Sequence, residues 1–256
     1  MTQLSENDIV VVVAAIDARA TVQASLAAFL AETADRGEVV LVDASRDGTA
    51  DEALARFPEL RVLRRPPGSL APELWRDGLE ATRASLVAFS TAQMVPRPGW
   101  LRALLDRLDA SRAAAVGGAI APGGDLAPVD RALYLLRYAN YLPPVPAFAA
   151  FDPPGDNALY RRDRLRGLEP CWRQGFWEVE IHRQLRQRGE RLATAPEAII
   201  EYRGGCRLAP ALAQRHAHGR RYGAGRSSGR GWGYRLTRSA AAPAVPAVLL
   251  GRILRA

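Results

Sequence analysis

Ile9 to Ala15 reads Ile-Val-Val-Val-Val-Ala-Ala, an apolar and largely β-branched run with no polar interruption. A strand with one wet face alternates apolar and polar side chains, so an unbroken run implies cover on both faces and a central place in a parallel sheet. The next residues extend this reading. Thr21 can cap a helix in which Val22, Leu26, Phe29 and Leu30 recur at helical spacing, and Gly37 separates it from Glu38-Val-Val-Leu-Val-Asp43. That βαβ unit repeats as a short helix around residues 51–57, a strand at 61–63, a helix around 74–83 and a strand at 86–89. Strands alternating with helices predict an α/β fold with a mostly parallel sheet flanked by helices. Ligands of such sheets lie beyond the carboxyl ends of the strands, which directs attention to the residues after Ala15, Val42 and Phe89.

Further along, Leu101, Leu104, Leu105 and Leu108 share one face of a helix over 100–111, and Val116-Gly-Gly-Ala-Ile120 reads as a tightly packed strand. A loop over 122–128, a helix over 133–141 and a proline-rich loop over 143–154 near the site follow. Trp177, Ile181 and Leu185 lie at i, i+4 and i+8 of another helix, with Glu178 and His182 on a neighbouring face. Residues 198–202 form a late strand. At 256 residues and 48% hydrophobic content the chain can bury one sizeable core, so one domain is expected over 1–225 and a tail over 226–256.

The charge is unevenly placed. All 35 basic residues are arginine, against 27 acids, and from Glu201 onward there are eleven arginines and one acid. A near-neutral body therefore carries a cationic tail, which can attract nucleic acid, an anionic bilayer or a phosphorylated substrate. Residues 226–233 read as a mobile Gly/Ser/Arg segment. Residues 240–250 are apolar but contain Pro243 and Pro246 and fall short of the roughly 20 residues needed to span a bilayer. With Arg235 and Arg238 before and Arg252 and Arg255 after, the segment suits either a membrane interface or an ordinary solvent-facing tail. An apolar, basic ending of this kind also suits a longer membrane-associated end. Cys171 and Cys206 form no disulfide framework or zinc spacing, and Met1 to Asp8 does not read as a signal peptide, so a cytoplasmic setting is expected, peripheral to the membrane if the tail binds there.

Five segments in order, Val10 to Ala15, Val42-Asp-Ala-Ser-Arg-Asp-Gly-Thr49, Phe89 to Trp100, Gly155-Asp-Asn-Ala-Leu-Tyr-Arg-Arg162 and Gly175-Phe-Trp-Glu178, together resemble family 2 glycosyltransferases over roughly residues 9–225. The resemblance implies a GT-A fold, a nucleoside diphosphate sugar donor lying across the first strand ends, and inverting displacement at the anomeric carbon onto a carbohydrate or lipid-linked acceptor of the cell envelope. It places Ala15, Asp17 and Asp43 in the donor site, where a carboxylate can accept from a base or ribose. By residue chemistry alone Asp43 merely ends a strand, and Asp47-Gly48 makes a turn. The resemblance places Glu178 where the family has the base that takes the acceptor's proton, whereas spacing alone favours an exposed helix carboxylate paired with His182. Asp156 and Asn157 match the acceptor loop, and Trp177 suits either stacking on a sugar or packing beside Ile181.

Thr91 and Gln93 stand where the family has its DxD pair, and residues 81–105 hold no Asp or Glu. Mn2+ or Mg2+ bridging a diphosphate wants anionic oxygens, so no metal ligand is assigned and ordinary metal dependence is in doubt; transfer without metal and transfer with a weakly held Mn2+ or Mg2+ both stay open. Without metal, arginines would meet the phosphates, with Arg76, Arg161, Arg220 and Arg221 as candidates, Arg76 on the donor side. Each also reads as a solvated or ion-paired surface residue. His216 and His218, at i and i+2, point to different helix faces and suit a basic helical cover better than a metal pair. The alternative function is an inactive relative that keeps nucleotide binding, or a membrane or nucleic-acid adaptor built on the tail; nucleic acid is the less expected partner.

Overall fold

A computed structural model describes residues 9–34, 36–146, 152–227 and 230–253. The chain runs β1 (Ile9–Ala15), α1 (Val22–Thr33), β2 (Gly37–Asp43), α2 (Thr49–Arg56), β3 (Arg61–Arg64), α3 (Ala71–Glu80), β4 (Leu86–Thr91), β5 (Met94–Pro96), α4 (Trp100–Ser111), β6 (Ala115–Pro122) and α5 (Pro128–Tyr138). A 3-10 turn (Gly155–Asn157) leads into β7 (Ala158–Arg161), the single-turn helices α6 (Arg162–Leu165) and α7 (Glu169–Trp172), α8 (Glu178–Gln187) and β8 (Leu192–Tyr202). The helices α9 (Leu208–Ser227), α10 (Trp232–Ala241) and α11 (Val245–Ile253) complete it.

The sheet has the order β3-β2-β1-β4-β7-β6-β8-β5. Strands β3, β2, β1 and β4 are parallel, as the alternation predicts. The second half departs from it: β7 enters antiparallel between β4 and β6, and β5 pairs antiparallel with β8, while β6 and β8 are parallel. All seven residues of β1 are buried. Val11 and Val13 pack with Leu26, Phe29 and Trp100 on one side of the sheet, and Val10 and Val12 with Leu74, Phe89 and Phe176 on the other. Both faces are covered, which is why that sequence has no polar alternation. The tight packing read at Gly117-Gly118 is literal: a Cβ on Gly118 would stand 1.8 Å from the Ala198 carbonyl oxygen.

Three boundaries differ from expectation. Helix α3 starts at Ala71 because the Glu73 carboxylate takes the Leu70 amide at 2.7 Å and Pro72 occupies the first turn, where its missing N–H costs nothing. Helix α5 starts at Pro128, again with a proline in the first turn, and ends at Tyr138. Helix α9 runs to Ser227, two residues past the expected boundary at 225, and α10 starts at Trp232. Ser228 and Gly229, the whole N-terminal octapeptide, residues 147–151 of the proline-rich loop, and the Arg252 and Arg255 side chains lie outside the described residues.

Candidate active site

The register of β7 builds the site. Leu86 pairs with Arg161 and Phe89 with Ala158, so the chain enters β7 at the carboxyl end of β4. The turn carrying Asp156 therefore sits beside Thr91, and Arg161 is carried to the far end of the sheet. There Arg161 donates to Asp109 at 2.7 Å. A phosphate role for Arg161 is thus corrected by strand polarity.

A cavity of about 280 Å³ opens at the ends of β1 and β4. Its walls include Thr91 and Gln93, Trp75 of α3, Arg137 and Tyr138 of α5, Asp156, Glu178 at the start of α8, and Arg215 and His218 of α9. A groove lined by Asp17, Arg46, Asp47 and Cys206 adjoins it, sharing Ile16, Gln93 and Gln214.

Glu178 is the first residue of α8, where the helix N-terminus favours an anion. Burial outweighs this: with the neighbouring Asp156 charge adding to it, the carboxyl rises from an ordinary 4.5 to about 7, although the helix amide and Arg137 pull the other way. The pairing with His182 does not occur. His182 is fully buried with Nε2 2.7 Å from the Tyr160 hydroxyl and Nδ1 3.4 Å from Asp152, leaving Glu178 facing the cavity. Gly155 lets the turn approach: a Cβ there would stand 3.0 Å from Glu178 Cδ and from the Trp75 ring.

Asp156 Oδ2 accepts from Arg137 Nη2 at 2.6 Å and from the Tyr138 hydroxyl at 2.5 Å. Burial opposes the Arg137 charge, but Tyr138 and Asp156 raise its pKa overall. Arg215 is lowered to about 10 by burial and then by Arg137, and remains a cation at neutral pH. His218 is lowered to about 4 by burial and then by Arg215 and Arg137, so it is neutral. Neither Arg137 nor Arg215 stands out by sequence among 35 arginines. The usable signal was helical spacing: Ala211, Arg215, His218 and Tyr222 recur at i+4, i+7 and i+11, and none of them is fully exposed.

Several expected residues do other work. Asn157 is fully buried, accepting from Trp100 Nε1 at 2.7 Å and donating to the carbonyls of Ala119 at 2.9 Å and Ala198 at 3.0 Å. Its amide is consumed in joining α4, β6 and β8, which corrects its assignment to the acceptor. Arg76 pairs with Asp77 and donates to the Arg173 carbonyl, outside the cavity. Arg221 pairs with Glu73, and Arg220 lies on the exposed side of α9. The cationic cover expected from residues 216–222 is present as a helix, but its inward groups are Arg215 and His218. Trp177 packs edge-on against His218, with centroids 4.9 Å apart, and reaches the cavity only through it. Ala15 ends β1, its carbonyl accepting from the Ala44 amide. Asp43 is buried at the end of β2, with Oδ1 taking both the Ser45 amide and hydroxyl, and Asp17 holds the Arg46 amide on the groove.

At the end of β4, Thr91 Oγ1 is buried on the cavity without a hydrogen-bond partner, and Gln93 Nε2 donates to Cys206 Sγ. Both offer neutral oxygen at most, and no group of three His, Cys, Asp or Glu side chains among the described residues could hold a metal ion. The donor set does not fit a divalent cation at this position.

The mannosyltransferase PcManGT from Pyrobaculum calidifontis, solved with GDP-Man and Mn2+, matches with a TM-score of 0.55 at 15% identity, over 98% of this chain and 88% of that one. A mycobacterial protein of known structure matches with a TM-score of 0.53 at 21% identity, over 81% and 71%. The 1–349 portion of Staphylococcus aureus TarS matches with a TM-score of 0.51 at 13% identity, over 73% of this chain and 57% of that one. At these identities the likeness is one of fold, the GT-A arrangement of a curled, mostly parallel sheet flanked by helices. A comparison with curated protein sequences finds no match. The family model for glycosyl transferase family 2 matches residues 10–168, more than half of the chain, from β1 through the Asp156 turn to α6. The chain is therefore a glycosyltransferase and belongs to glycosyl transferase family 2.

Proposed function

We propose that the chain transfers a sugar from a nucleoside diphosphate donor to a hydroxyl of a carbohydrate or lipid-linked cell-envelope acceptor, with inversion and without a divalent metal. The observation that carries this is the Glu178 carboxyl, held in the cavity at the strand ends and titrating at about 7. A base near neutrality has both the ionised fraction and the proton affinity that the reaction needs. Glu178 takes the acceptor hydroxyl proton as its oxygen bonds to the anomeric carbon. The bond from that carbon to the phosphate oxygen breaks, and its electron pair leaves on the nucleoside diphosphate.

The departing charge is met by Arg215 and Arg137, whose guanidinium groups line the same cavity as Thr91. PcManGT was solved with a nucleotide sugar and Mn2+; here the neutral Thr91 and Gln93 favour arginine for the phosphate charge. Asp17 and Asp43 at the ends of β1 and β2 suit the base and ribose, and Asp156 suits an acceptor hydroxyl.

Calorimetric titration with nucleoside diphosphates and nucleotide sugars, in chelator and in Mn2+, tests the reading. Binding that is indifferent to Mn2+ and is weakened about 10- to 100-fold by Arg215→Gln is expected, from the loss of a charged hydrogen bond. Glu178→Gln should bind the donor and lose turnover. Absence of binding under both conditions, or binding only with Mn2+, refutes the metal-free scheme.

A further inference from the structure

We propose that α10 and α11 form an in-plane docking surface for an anionic lipid bilayer. No residue of α10 is buried. Trp232 is 77% exposed and Leu236 63%, and at i and i+4 they form one stripe with Ala240. Tyr234 and Arg238 occupy the other side of the helix, and Arg235 flanks the stripe beside Trp232. Helix α11 adds exposed Val245, Val248 and Leu250. Neither helix is long and apolar enough to cross a membrane.

The charge on this surface selects its partner. From Arg203 to the last residue there are eleven arginines and no Asp or Glu. The arginines also lie over the aromatic rings, Arg235 at 6.0 Å from the Trp232 centroid and Arg230 at 5.3 Å from that of Tyr234. A polyanion such as nucleic acid would answer the charge and leave Leu236, Val245, Val248 and Leu250 in water. A second copy of the chain would cover the apolar residues and set arginine against arginine. An anionic bilayer answers both, because apolar insertion and headgroup attraction act at the same depth. The placement also fits: α11 packs on α5, the helix whose Arg137 and Tyr138 line the cavity. The docked face thus lies beside the site, where a lipid-linked acceptor would arrive.

Co-sedimentation of the full chain with vesicles of phosphatidylcholine, with and without phosphatidylglycerol, tests this independently of catalysis. Binding should require phosphatidylglycerol and weaken with salt. Arg235→Gln with Arg238→Gln should lower the partition by about fivefold per arginine. Trp232→Ser with Leu236→Ser should abolish it while the thermal melt and nucleoside diphosphate titration stay unchanged, since neither side chain is buried. Equal binding to neutral vesicles, retention of binding by Trp232→Ser with Leu236→Ser, capture by duplex DNA without vesicle binding, or a dimer that hides the tail would each overturn the proposal.

Discussion

Replacing Glu178 by Gln separates the electrostatics of the site from its chemistry. The folded carboxyl titrates at about 7 against an ordinary 4.5, mainly because burial penalises its charge. Its protonated form favours the folded state. That contribution is complete below about 4.5, declines as pH rises, and is lost above about 7, where the protein carries a poorly solvated carboxylate. At 1.36 kcal/mol per pH decade the full difference is about 3 kcal/mol. The side chain is only half-buried, and solvent screening reduces the figure to about 1–2 kcal/mol. Gln keeps the shape and cannot ionise. Melting temperatures of both proteins at pH 5 and pH 8 should therefore show the variant gaining about 2–8 °C on the wild type between the two conditions. Comparing one variant at two pH values cancels any constant change in packing. Turnover should fall by about 10²- to 10⁴-fold at pH 8 and by far less at pH 5, where the wild-type carboxyl is already mostly protonated. A pH-independent difference in melting temperature would refute the raised carboxyl and, with it, the argument for the base.

Other outcomes follow from the same geometry. The wild-type kcat/KM should rise with pH along a single acidic limb near 7, with His218 contributing nothing there because it titrates at about 4. Thr91→Asp with Gln93→Asp should convert nucleoside diphosphate binding from Mn2+-indifferent to Mn2+-enhanced, measured by calorimetry. Asn157→Ala should cost about 3 kcal/mol and lower the melting temperature by about 6–12 °C, because it strands the Trp100 N–H and two carbonyls in the core. Gly155→Ala should lower kcat with little change in donor affinity, since the new methyl presses on Glu178 and Trp75.

The first half of the fold was legible because each element there carries its own signal. Strand β1 is apolar throughout since both its faces are covered, and the leucines over 101–108 mark the inward face of α4. The reversal of β7 was not legible: Ala158–Arg161 is too short for a pattern to declare its direction, which depends on neighbouring strands. That reversal sent Arg161 away from the site and brought Asp156 to it. Asn157 looked like a ligand because nothing local reveals that its amide is spent on Trp100, Ala119 and Ala198. Glu178 drew attention through an ordered set of motifs, and the fold places it on the cavity wall. Arg137 and Arg215 escaped because an arginine's sequence neighbours do not report which way it points.

Helix α9 gives the molecule a removable wall. It joins the body through side chains, with Arg221 on Glu73 and with His218 and Tyr222 against Trp177, and not through the sheet. The strands, by contrast, complete their pairing by Tyr202. A chain ending at Arg207 should keep its sheet and the Glu178 carboxyl while losing Arg215, becoming an open-sided vessel that retains the proton acceptor and has shed half of its anion trap.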